Sequence, residues 1–361
     1  MRLAFVNSAW PPGWGGGEKW TVEAAEWFLR RGDDVCVIGR PQSKLIGAAR
    51  GRQLPVIEYR FGGDFDPFAM MKARALLSEA KAEMVVVNFN KEAWQFGLAA
   101  RKLRLPVVAR HGFPLLRSTM HHRTLARRIL TRLVVNASSI REGYAQMGFD
   151  VSNVAVIHNG VRTIPQRTGE LRQRFSVADG VPLIVAAGRI ESQKRFDRVL
   201  QIAQDLLPVH PGLKVLIAGE GPLRALLTDD VAARGLSGCV QFTGFIPDLA
   251  EIIGDASLFL LTSDDEGTPN VVLEAMAARV ACIAFAVGAV PEIFAGALSA
   301  NVITPADTTS MSARAGYLLA NDEARRDTAD RMFLRVQEEF SFDQSMRAFA
   351  ELFHTVLSRK L

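Results

Sequence analysis

The sequence has 361 residues, of which 48% are hydrophobic and 22% charged, and its formal net charge is +5. This composition excludes a disordered or fibrous chain, and the length predicts two domains of about 150 to 200 residues. The three cysteines lie far apart beside apolar runs, without metal-binding spacing, and the first residues leave no room for a signal peptide. No apolar run approaches the roughly 18 residues of a membrane span, so we expect a cytoplasmic protein with reduced thiols.

Short apolar runs alternate with helix-like stretches along the first half of the chain. The runs are Leu3 to Asn7, Val35 to Ile38, Met84 to Asn88, Val107 to Arg110, Leu133 to Asn136 and Val154 to Ile157. Unbroken apolar strands separated by helices are typical of a parallel sheet that is covered on both faces. The first half is therefore predicted to be Rossmann-like.

A glycine cluster, "WGGGEK" from Trp14 to Lys19, stands between the first strand and a helix. Such a cluster predicts a close approach of the backbone to a ligand, most often a phosphate. The cluster is not a P-loop, because Glu18 occupies the position of the second glycine in that motif. It is not a dinucleotide-binding fingerprint either, because that motif would need a glycine at position 18 or 20, and these positions are Glu18 and Trp20. Arg40, rather than an acidic residue, follows the second strand, which disfavours NAD and leaves NADP as an alternative.

The segment from Ala93 to Arg141 contains ten Arg and Lys residues and no Asp or Glu. We expect a positive surface, with residues 101–132 facing an anionic membrane leaflet or an anionic acceptor. A solvated helix face without a partner is the alternative, and nucleic acid is not expected because no nucleic-acid motif accompanies the charge. The protein would then be cytoplasmic or peripheral on the inner face of the cytoplasmic membrane. The residues concerned include Arg117, His121, His122, Arg123, Arg127, Arg128 and Arg132.

A polar stretch from Arg162 to Gly180 interrupts the pattern, which then restarts. The later runs are Leu183 to Ala187, Val215 to Ala218, Leu258 to Leu261 and Ala281 to Ala286. We predict a first domain of residues 1–161 and a second of residues 162–341. Apolar residues at helical spacing predict a terminal helix over about residues 342–361 that packs back on the first domain.

The second half carries two cations, Arg189 and Lys194, on a loop between a buried strand and a helix. Such a loop can bring both charges to the carboxyl edge of a sheet, where anionic ligands bind. For this stretch taken alone, the alternative to an anion-binding site is an exposed loop whose two charges are solvated.

A second charged element, "DDEGTPNVVLEAMA", runs from Asp264 to Ala277. Thr268 is a suitable N-cap and Pro269 suits the first helical position, so we expect Glu266 on the loop and Glu274 inside the helix. The positive helix end can cradle a diphosphate, with Glu266 reaching a transferred sugar and Glu274 a ribose. The N–H groups in question belong to Gly267, Thr268, Asn270 and Val271.

Clustered carboxylates at Asp264, Asp265 and Glu266 also invite a metal site. They are contiguous rather than spaced, and Arg189 and Lys194 already neutralise an anionic ligand. We therefore expect no required metal.

With these motifs the chain resembles the retaining glycosyltransferases of family 4, which have the GT-B fold. The motifs, in order, are the glycines 15–17 with Glu18, "VIHNGV" from Val156, "GRIESQKRFDRVL" from Gly188, "LIAGEGPLR" from Leu216, "FTGFIPDL" from Phe242, the Glu266 to Glu274 element and "GAVPEI" from Gly288. The resemblance implies an α/β fold with two Rossmann-like, doubly wound domains facing across a cleft. The chain departs from the family pattern after the second Glu, where Arg279 stands in place of the usual glycine.

The resemblance also implies a role for each matching residue. The donor-binding set would be Gly16 and Gly17 near the phosphates, Arg189 and Lys194 on the diphosphate, Ile246 at the nucleobase through its backbone, and Glu274 on the ribose. The catalytic set would be Glu266 at the transferred sugar and His111, in "VVARHGF", near the sugar and the acceptor.

The implied reaction moves a sugar, with retention, from a nucleotide-sugar donor to a glycan or lipid-linked acceptor, as in bacterial envelope polysaccharide or lipopolysaccharide synthesis. A diphosphate oxygen would take the acceptor proton, and no cofactor would be needed. A nucleotide-sugar epimerase and a non-catalytic nucleotide-sugar binding protein remain alternatives.

Overall fold

The computed structural model describes residues 1–11, 13–63, 66–88, 90–113, 115–117, 119–164 and 166–358. The chain divides into two compact units. The first comprises Met1–His158 together with the C-terminal segment from Ser345, and the second comprises Asn159–Gln344. The sequence-based boundary lies close by, after residue 161.

The first unit is a seven-stranded parallel sheet of order β3-β2-β1-β4-β5-β6-β7 with helices between the strands. Its strands are β1 (Arg2–Asn7), β2 (Asp34–Gly39), β3 (Val56–Glu58), β4 (Met84–Val87), β5 (Val107–His111), β6 (Arg132–Val135) and β7 (Val154–Val156). Its helices are α1 (Gly16–Arg30), α2 (Lys44–Gly51), α3 (Pro67–Glu79), α4 (Asn90–Lys102), α5 (Met120–Thr124), followed by a π-helical turn at Leu125–Ile129, and α6 (Ser138–Gln146).

The second unit is a six-stranded parallel sheet of order β10-β9-β8-β11-β12-β13. Its strands are β8 (Leu183–Ala187), β9 (Lys214–Ala218), β10 (Val240–Gly244), β11 (Leu258–Leu261), β12 (Ala281–Phe285) and β13 (Val302–Ile303). Its helices are α7 (Glu170–Arg174), α8 (Phe196–Leu206), α9 (Arg224–Ala233), α10 (Leu249–Ile252), α11 (Asn270–Ala277), α12 (Val290–Ile293), α13 (Thr308–Ala320) and α14 (Asp322–Glu339). Turns of 3₁₀ helix lie at Ser192–Lys194, Ile253–Asp255 and Gly296–Asn301.

The last helix, α15 (Phe342–Ser358), packs on α1 of the first unit. The ring centroids of Phe349 and Trp20 lie 5.0 Å apart, and those of Phe353 and Phe28 lie 5.3 Å apart in a stacked pair. Residues 359–361 of the predicted helix lie outside the described residues. Among the helices that the structure describes, none combines the length and apolar content needed to cross a bilayer.

Candidate active site

Glycine-containing loops meet at the carboxyl edge of the second sheet, the edge formed by the carboxyl ends of its strands. Gly188 N–H donates to Ala218 O at 2.9 Å, and Gly219 N–H donates to Gly244 O at 2.8 Å. Gly219 has a φ of +146°, and a Cβ there would lie 1.8 Å from Gly188 O, so only glycine permits this approach. Three of the sequence motifs therefore converge on one edge.

The loop after β8 returns Lys194 to this edge. A 3₁₀ turn ends at Lys194, and Arg195 follows in the left-handed region with a φ of +50° before α8 begins. The stem of Lys194 covers Gly188, where a Cβ would lie 3.2 Å from Lys194 Cε. Its Nζ lies 2.6 Å from Oε1 of Glu266, and 19% of its side chain is exposed.

Glu266 is held from several sides, and only 4% of its side chain is exposed. Ser263 Oγ donates to the same carboxylate oxygen at 2.7 Å. The loop of the last motif backs this position, because Ala289 N–H donates to Gly267 O at 2.9 Å and a Cβ on Gly288 would lie 2.1 Å from Glu266 O. Packing thus fixes the carboxylate before any ligand arrives.

Arg189, the other predicted cation, is not part of this pair. Its side chain is 74% exposed and lies 3.2 Å from the carboxylate of Glu191. The structure therefore brings Lys194 and Glu266 together and leaves Arg189 reaching into solvent beside them.

The neighbouring carboxylate of Asp264 is engaged by arginines. It lies 3.1 Å from Arg195 and 2.7 Å from Arg198. Burial alone would raise the pKa of Asp264, but the two guanidinium groups outweigh it and lower the pKa below its usual range. Among the described residues, no three His, Cys, Asp or Glu side chains group together as a metal site. The expectation that no metal is required stays a prediction.

The helix after Glu266 starts one residue later than predicted. Pro269 is the N-cap, with an extended ψ of 93°, and its carbonyl accepts from Val272 N–H at 3.0 Å. Thr268 as N-cap and Pro269 as first helical residue are therefore wrong, because Pro269 lacks the helical ψ. Asn270 and Val271 occupy the first two helical positions, where N–H groups have no acceptor within the helix.

Glu274 lies one turn after Asn270 in α11 and is partly exposed. Ile246 follows the left-handed Gly244, whose φ is +76°, and its side chain is buried. Phe245, between them, is largely exposed. The turn therefore exposes the side chain of Phe245 and buries that of Ile246.

The structure adds one residue that sequence reasoning did not assign. Asn159, in the "VIHNGV" motif, donates from Nδ2 to Oδ1 of Asn270 at 2.8 Å. This bond ties the motif to the first residue of α11. The presence of the motif was the only sequence signal for such a contact.

Arg279, where the family pattern has glycine, adopts the conformation that glycine favours. Its φ is +57° just after α11. The guanidinium lies 4.0 Å from the ring centroid of Phe333 and pairs with Asp330. The end of α11 is formed without a glycine, and Arg279 N–H donates to Met276 O at 3.1 Å.

In the first unit, Gly16 and Gly17 belong to α1 rather than to the loop before it. Gly15 is the N-cap, and its carbonyl accepts from Lys19 N–H at 3.0 Å. The glycines thus place bare N–H groups at a positive helix end, as an anion site requires.

His111 is the last residue of β5 and is 1% exposed. Burial, together with nearby Arg110 and His122, lowers the pKa of His111 to about 3. The imidazole is therefore neutral at physiological pH.

The hydrogen bonds of Tyr144 assign the tautomer of this imidazole. Tyr144 Oη accepts from Leu115 N–H at 2.9 Å and from Leu116 N–H at 3.3 Å. Its single proton then goes to Nδ1 of His111 at 3.0 Å, since the other acceptor in reach, Phe113 O, is 3.5 Å away. The ring proton of His111 is consequently on Nε2, which can donate to a ligand.

The predicted basic segment is only partly available as a surface. Arg123 donates to Gly148 O at 2.8 Å and to Met147 O at 2.9 Å, and so caps the end of α6. Arg127 and Arg128 are exposed on the π-helical turn. These two arginines are accessible together with Arg101, Lys102, Arg104 and Arg117, which are also exposed, whereas Arg123 is partly buried.

Comparisons with known proteins agree with this architecture. The family described as "Glycosyltransferase Family 4" matches residues 14–164, and that described as "Glycosyl transferases group 1" matches residues 168–332. N-acetyl-alpha-D-glucosaminyl L-malate synthase of Bacillus anthracis is 26% identical over 188 residues, which are 52% of this chain and 49% of that protein.

A second relative is the lipopolysaccharide core biosynthesis mannosyltransferase LpcC of Rhizobium leguminosarum, 25% identical over 210 residues. The match spans 56% of this chain and 60% of the relative. Among solved structures, Anabaena Alr3699/HepE in complex with UDP superposes with a TM-score of 0.87 at 18% identity, over 98% of this chain and 100% of that one. With both halves matched in order and the fold shared, the chain belongs to the family 4 glycosyltransferases of the GT-B fold.

Proposed function

We propose that this chain is a retaining glycosyltransferase that moves a sugar from a nucleotide-sugar donor to a glycan or lipid-linked acceptor in bacterial envelope polysaccharide or lipopolysaccharide assembly. The observation that carries the proposal is the Lys194–Glu266 pair, held at 2.6 Å just before α11 and beside the convergent glycine loops. The relative named as a lipopolysaccharide core mannosyltransferase supports the pathway, and the neighbour that binds UDP supports a nucleotide-sugar donor.

The donor diphosphate is neutralised by Lys194 and by Arg189. Lys194 has three N–H donors and gives one of them to Glu266, so it can also donate to phosphate oxygens. Arg189 is exposed and can turn from Glu191 toward an anion. The N–H groups of Gly267, Thr268, Asn270 and Val271 add donors at the start of α11. Glu274 binds the ribose, and the backbone at Ile246 holds the base.

In the reaction, the bond between the anomeric carbon and the diphosphate oxygen breaks. The acceptor oxygen bonds to the anomeric carbon on the same face, and its proton passes to a diphosphate oxygen. Cations on the diphosphate stabilise the leaving group as its charge develops. Glu266 stabilises the positive charge on the sugar ring, and His111 donates from Nε2 to a sugar hydroxyl.

The proposal includes no cofactor and no required metal, because Lys194 and Arg189 take the place of a divalent cation on the diphosphate. It does include attachment to an anionic membrane surface from the cytoplasmic side. Arg127 and Arg128 are exposed on the turn that follows α5, whose first residue, Met120, is 82% exposed. Exposed cations beside an exposed apolar side chain favour an anionic lipid surface.

A thermal-shift panel of UDP, GDP, ADP and dTDP sugars tests the donor site. A ligand at about 100 times its dissociation constant stabilises the folded state by about 2.7 kcal/mol. We expect a shift with one nucleotide that Lys194→Met removes and that Lys72→Met, an exposed control on α3, retains. Incubation without acceptor then separates the alternatives: an isomerised sugar nucleotide indicates an epimerase. Binding of a nucleotide sugar without turnover on any acceptor indicates a binding protein. The absence of a thermal shift with all nucleotide sugars of the panel contradicts the proposal.

A further inference from the structure

The loop that follows β11 holds the chain on both sides of Lys194. Asp264 N–H donates to Gln193 O at 2.9 Å, and Gln193 Nε2 donates back to Asp265 O at 2.6 Å. On the other side of Lys194, the carboxylate of Asp264 accepts from the guanidinium of Arg195 at 3.1 Å. Asp264 therefore contacts both the residue before Lys194 and the residue after it.

Thr262, directly after β11, holds the backbone at the same place. Its hydroxyl oxygen lies 3.1 Å from Lys194 O and 3.1 Å from Arg195 O, and the residue is 2% exposed. These two carbonyl groups belong to the peptide units on either side of Arg195. The hydroxyl proton is therefore shared between them, and both units are fixed against the end of a sheet strand.

Arg195 has a backbone conformation that needs such support. Its φ of +50° and ψ of +47° lie in the left-handed region, where a Cβ is unfavourable. A non-glycine residue stays in this region only where the surrounding structure holds it, and such strain is found most often at functional sites. Asp197 accepts from Nε and from a terminal nitrogen of Arg195 at 3.0 and 2.8 Å, within the same segment of chain. Asp264 is the carboxylate that ties Arg195 to a different loop.

Asp264 is itself held by a buried cation. Only 9% of the Arg198 side chain is exposed, and Arg198 lies 2.7 Å from Oδ1 of Asp264. The guanidinium of Arg198 also donates to Thr262 O at 3.0 Å and lies 5.3 Å from the ring centroid of Phe285 on β12. One carboxylate oxygen of Asp264 is thus fixed by Arg198, and the other, Oδ2, is the one that Arg195 meets.

The same loop carries the partner of Lys194. Glu266 stands two residues after Asp264, and its carboxylate lies 2.6 Å from Lys194 Nζ. The loop therefore holds the backbone on both sides of Lys194 and also provides the group that its ammonium meets.

We propose that Asp264 is a positioning residue: by holding Arg195 in the left-handed turn, it directs Lys194 to the donor diphosphate. The inference rests on the proposed function, in which Lys194 binds that diphosphate. It adds a carboxylate that acts through its neighbours and touches no substrate.

The affinity for a diphosphate relative to its nucleoside tests the proposal. UDP, GDP, ADP and dTDP are each titrated beside uridine, guanosine, adenosine or thymidine and followed by calorimetry, and the diphosphate preference is the ratio of the two affinities. A hydrogen bond from a charged group contributes about tenfold or more to this preference. We expect Asp264→Asn to lower it at least about fivefold for the base that the wild type binds, with the affinity for the nucleoside unchanged. Asp264→Glu, which keeps the charge, should lose less.

Asp327→Asn on α14 is the matched control. Asp327 lies 2.8 Å from Arg331, and 57% of its side chain is exposed, against 47% for Asp264. This variant should keep the preference of the wild type. An undiminished preference in Asp264→Asn, or an equal loss of affinity for diphosphate and nucleoside, overturns the proposal.

Two variants at Arg195 test whether the effect passes through the turn. Arg195→Ala and Arg195→Gly both remove the guanidinium, but glycine alone adopts a positive φ without strain. We expect Arg195→Ala to lose the diphosphate preference and Arg195→Gly to keep it, and Asp264→Asn added to Arg195→Gly to have no further effect. This pair also covers the case in which Asp264→Asn alone does not fold. Equal losses in Arg195→Ala and Arg195→Gly overturn the proposal.

A measurement without nucleotide keeps this inference apart from the proposed function. Urea denaturation of Lys194→Met, Glu266→Gln and the double variant gives the coupling between the two residues. Measured again with Asp264→Asn present, the coupling should fall to less than half, and an unchanged coupling overturns the positioning role. If the wild type binds none of the four diphosphates, the donor site is contradicted, whatever the coupling shows.

Discussion

Oε1 of Glu266 receives two hydrogen bonds, from Lys194 Nζ at 2.6 Å and from Ser263 Oγ at 2.7 Å. The carboxylate is almost fully buried, whereas the ammonium keeps contact with solvent. Lys194 therefore neutralises Glu266 in the resting site and remains accessible to an anion. The two residues that the proposed reaction needs are the two that stabilise each other without substrate.

Variants of the Lys194–Glu266 pair should affect protein stability and transferase activity differently. Lys194→Met leaves a buried carboxylate with Ser263 as its remaining side-chain donor in the described part of the chain, so we expect a loss of about 1 to 3 kcal/mol in the free energy of unfolding. Adding Glu266→Gln removes the buried charge and should restore most of this loss, while both variants lack transferase activity. Urea denaturation and donor turnover measure the two effects. A double variant no more stable than Lys194→Met would contradict the role of the pair.

Glu266→Gln alone should cost turnover rather than affinity. The amide oxygen can still accept from Lys194 and Ser263, so nucleotide-sugar binding should change by no more than a few-fold. Loss of the negative charge near the sugar should lower turnover by about 100-fold or more. Titration calorimetry and single-turnover kinetics, with exposed Glu251→Gln as control, check this. Near-normal turnover with the natural acceptor would show that the carboxylate does not stabilise the reacting sugar.

His111 should make stability depend on pH. Its pKa is about 3 in the folded state, against about 6.5 when unfolded, so between these values the unfolded chain binds a proton that the folded chain does not. The stabilising contribution is full above about pH 6.5 and falls as the pH drops toward 3. From pH 7.5 to 5, the wild type should lose about 2 kcal/mol more than His111→Asn. Denaturation at both pH values measures this, with His210→Asn as control, and parallel profiles would refute it.

Tyr144 should position His111 through its proton. Tyr144→Phe removes the donor to Nδ1, so the imidazole loses its fixed tautomer, and we expect turnover to fall at least about tenfold while nucleotide binding stays unchanged. Nitrogen-15 NMR of the ring should show Nε2–H in the wild type and mixed tautomers in the variant. Exposed Tyr317→Phe serves as control. An unchanged tautomer in Tyr144→Phe would assign Tyr144 to packing.

Membrane attachment should depend on the exposed arginines of the π-helical turn. Arg127→Glu with Arg128→Glu should weaken binding to anionic vesicles, because each cation near such a surface contributes about 1 kcal/mol. Arg326→Glu with Arg331→Glu, on α14 of the other unit, makes the same change of charge. Arg123 is left intact, since it caps α6. Sedimentation with vesicles of phosphatidylglycerol and phosphatidylcholine measures the effect, and unchanged binding would remove the membrane from the proposal.

The sequence predicted the central strands of both sheets but missed most of the edge strands. Buried central strands such as β4 and β8 are continuous apolar runs and were predicted. Three strands were not predicted: β3, β10 and β13, each at the edge of its sheet. An edge strand pairs on one side and is less covered, so its residues need not be uniformly apolar; Glu58 and Gln241 are exposed examples.

By itself, the sequence determined the two parallel sheets, the glycine loops and the residue types at their carboxyl edges. These depend on local patterns, namely apolar runs and glycines where the backbone must pass closely. Tertiary structure decided which cation pairs with which carboxylate. Arg189 and Lys194 share one motif, yet only Lys194 meets Glu266, because a left-handed turn at Arg195 and a loop about 70 residues away determine the direction of that side chain.

The burial of individual arginine side chains could likewise not be predicted from the sequence. Arg123 and Arg127 look alike in a basic segment, and only the fold makes one a helix cap and the other a surface charge. The same holds for Arg198, whose neighbours Asp264 and Phe285 come from a separate loop and strand. Local composition records the charge of a side chain, whereas its partners and solvent exposure arise from contacts between residues that are far apart along the chain.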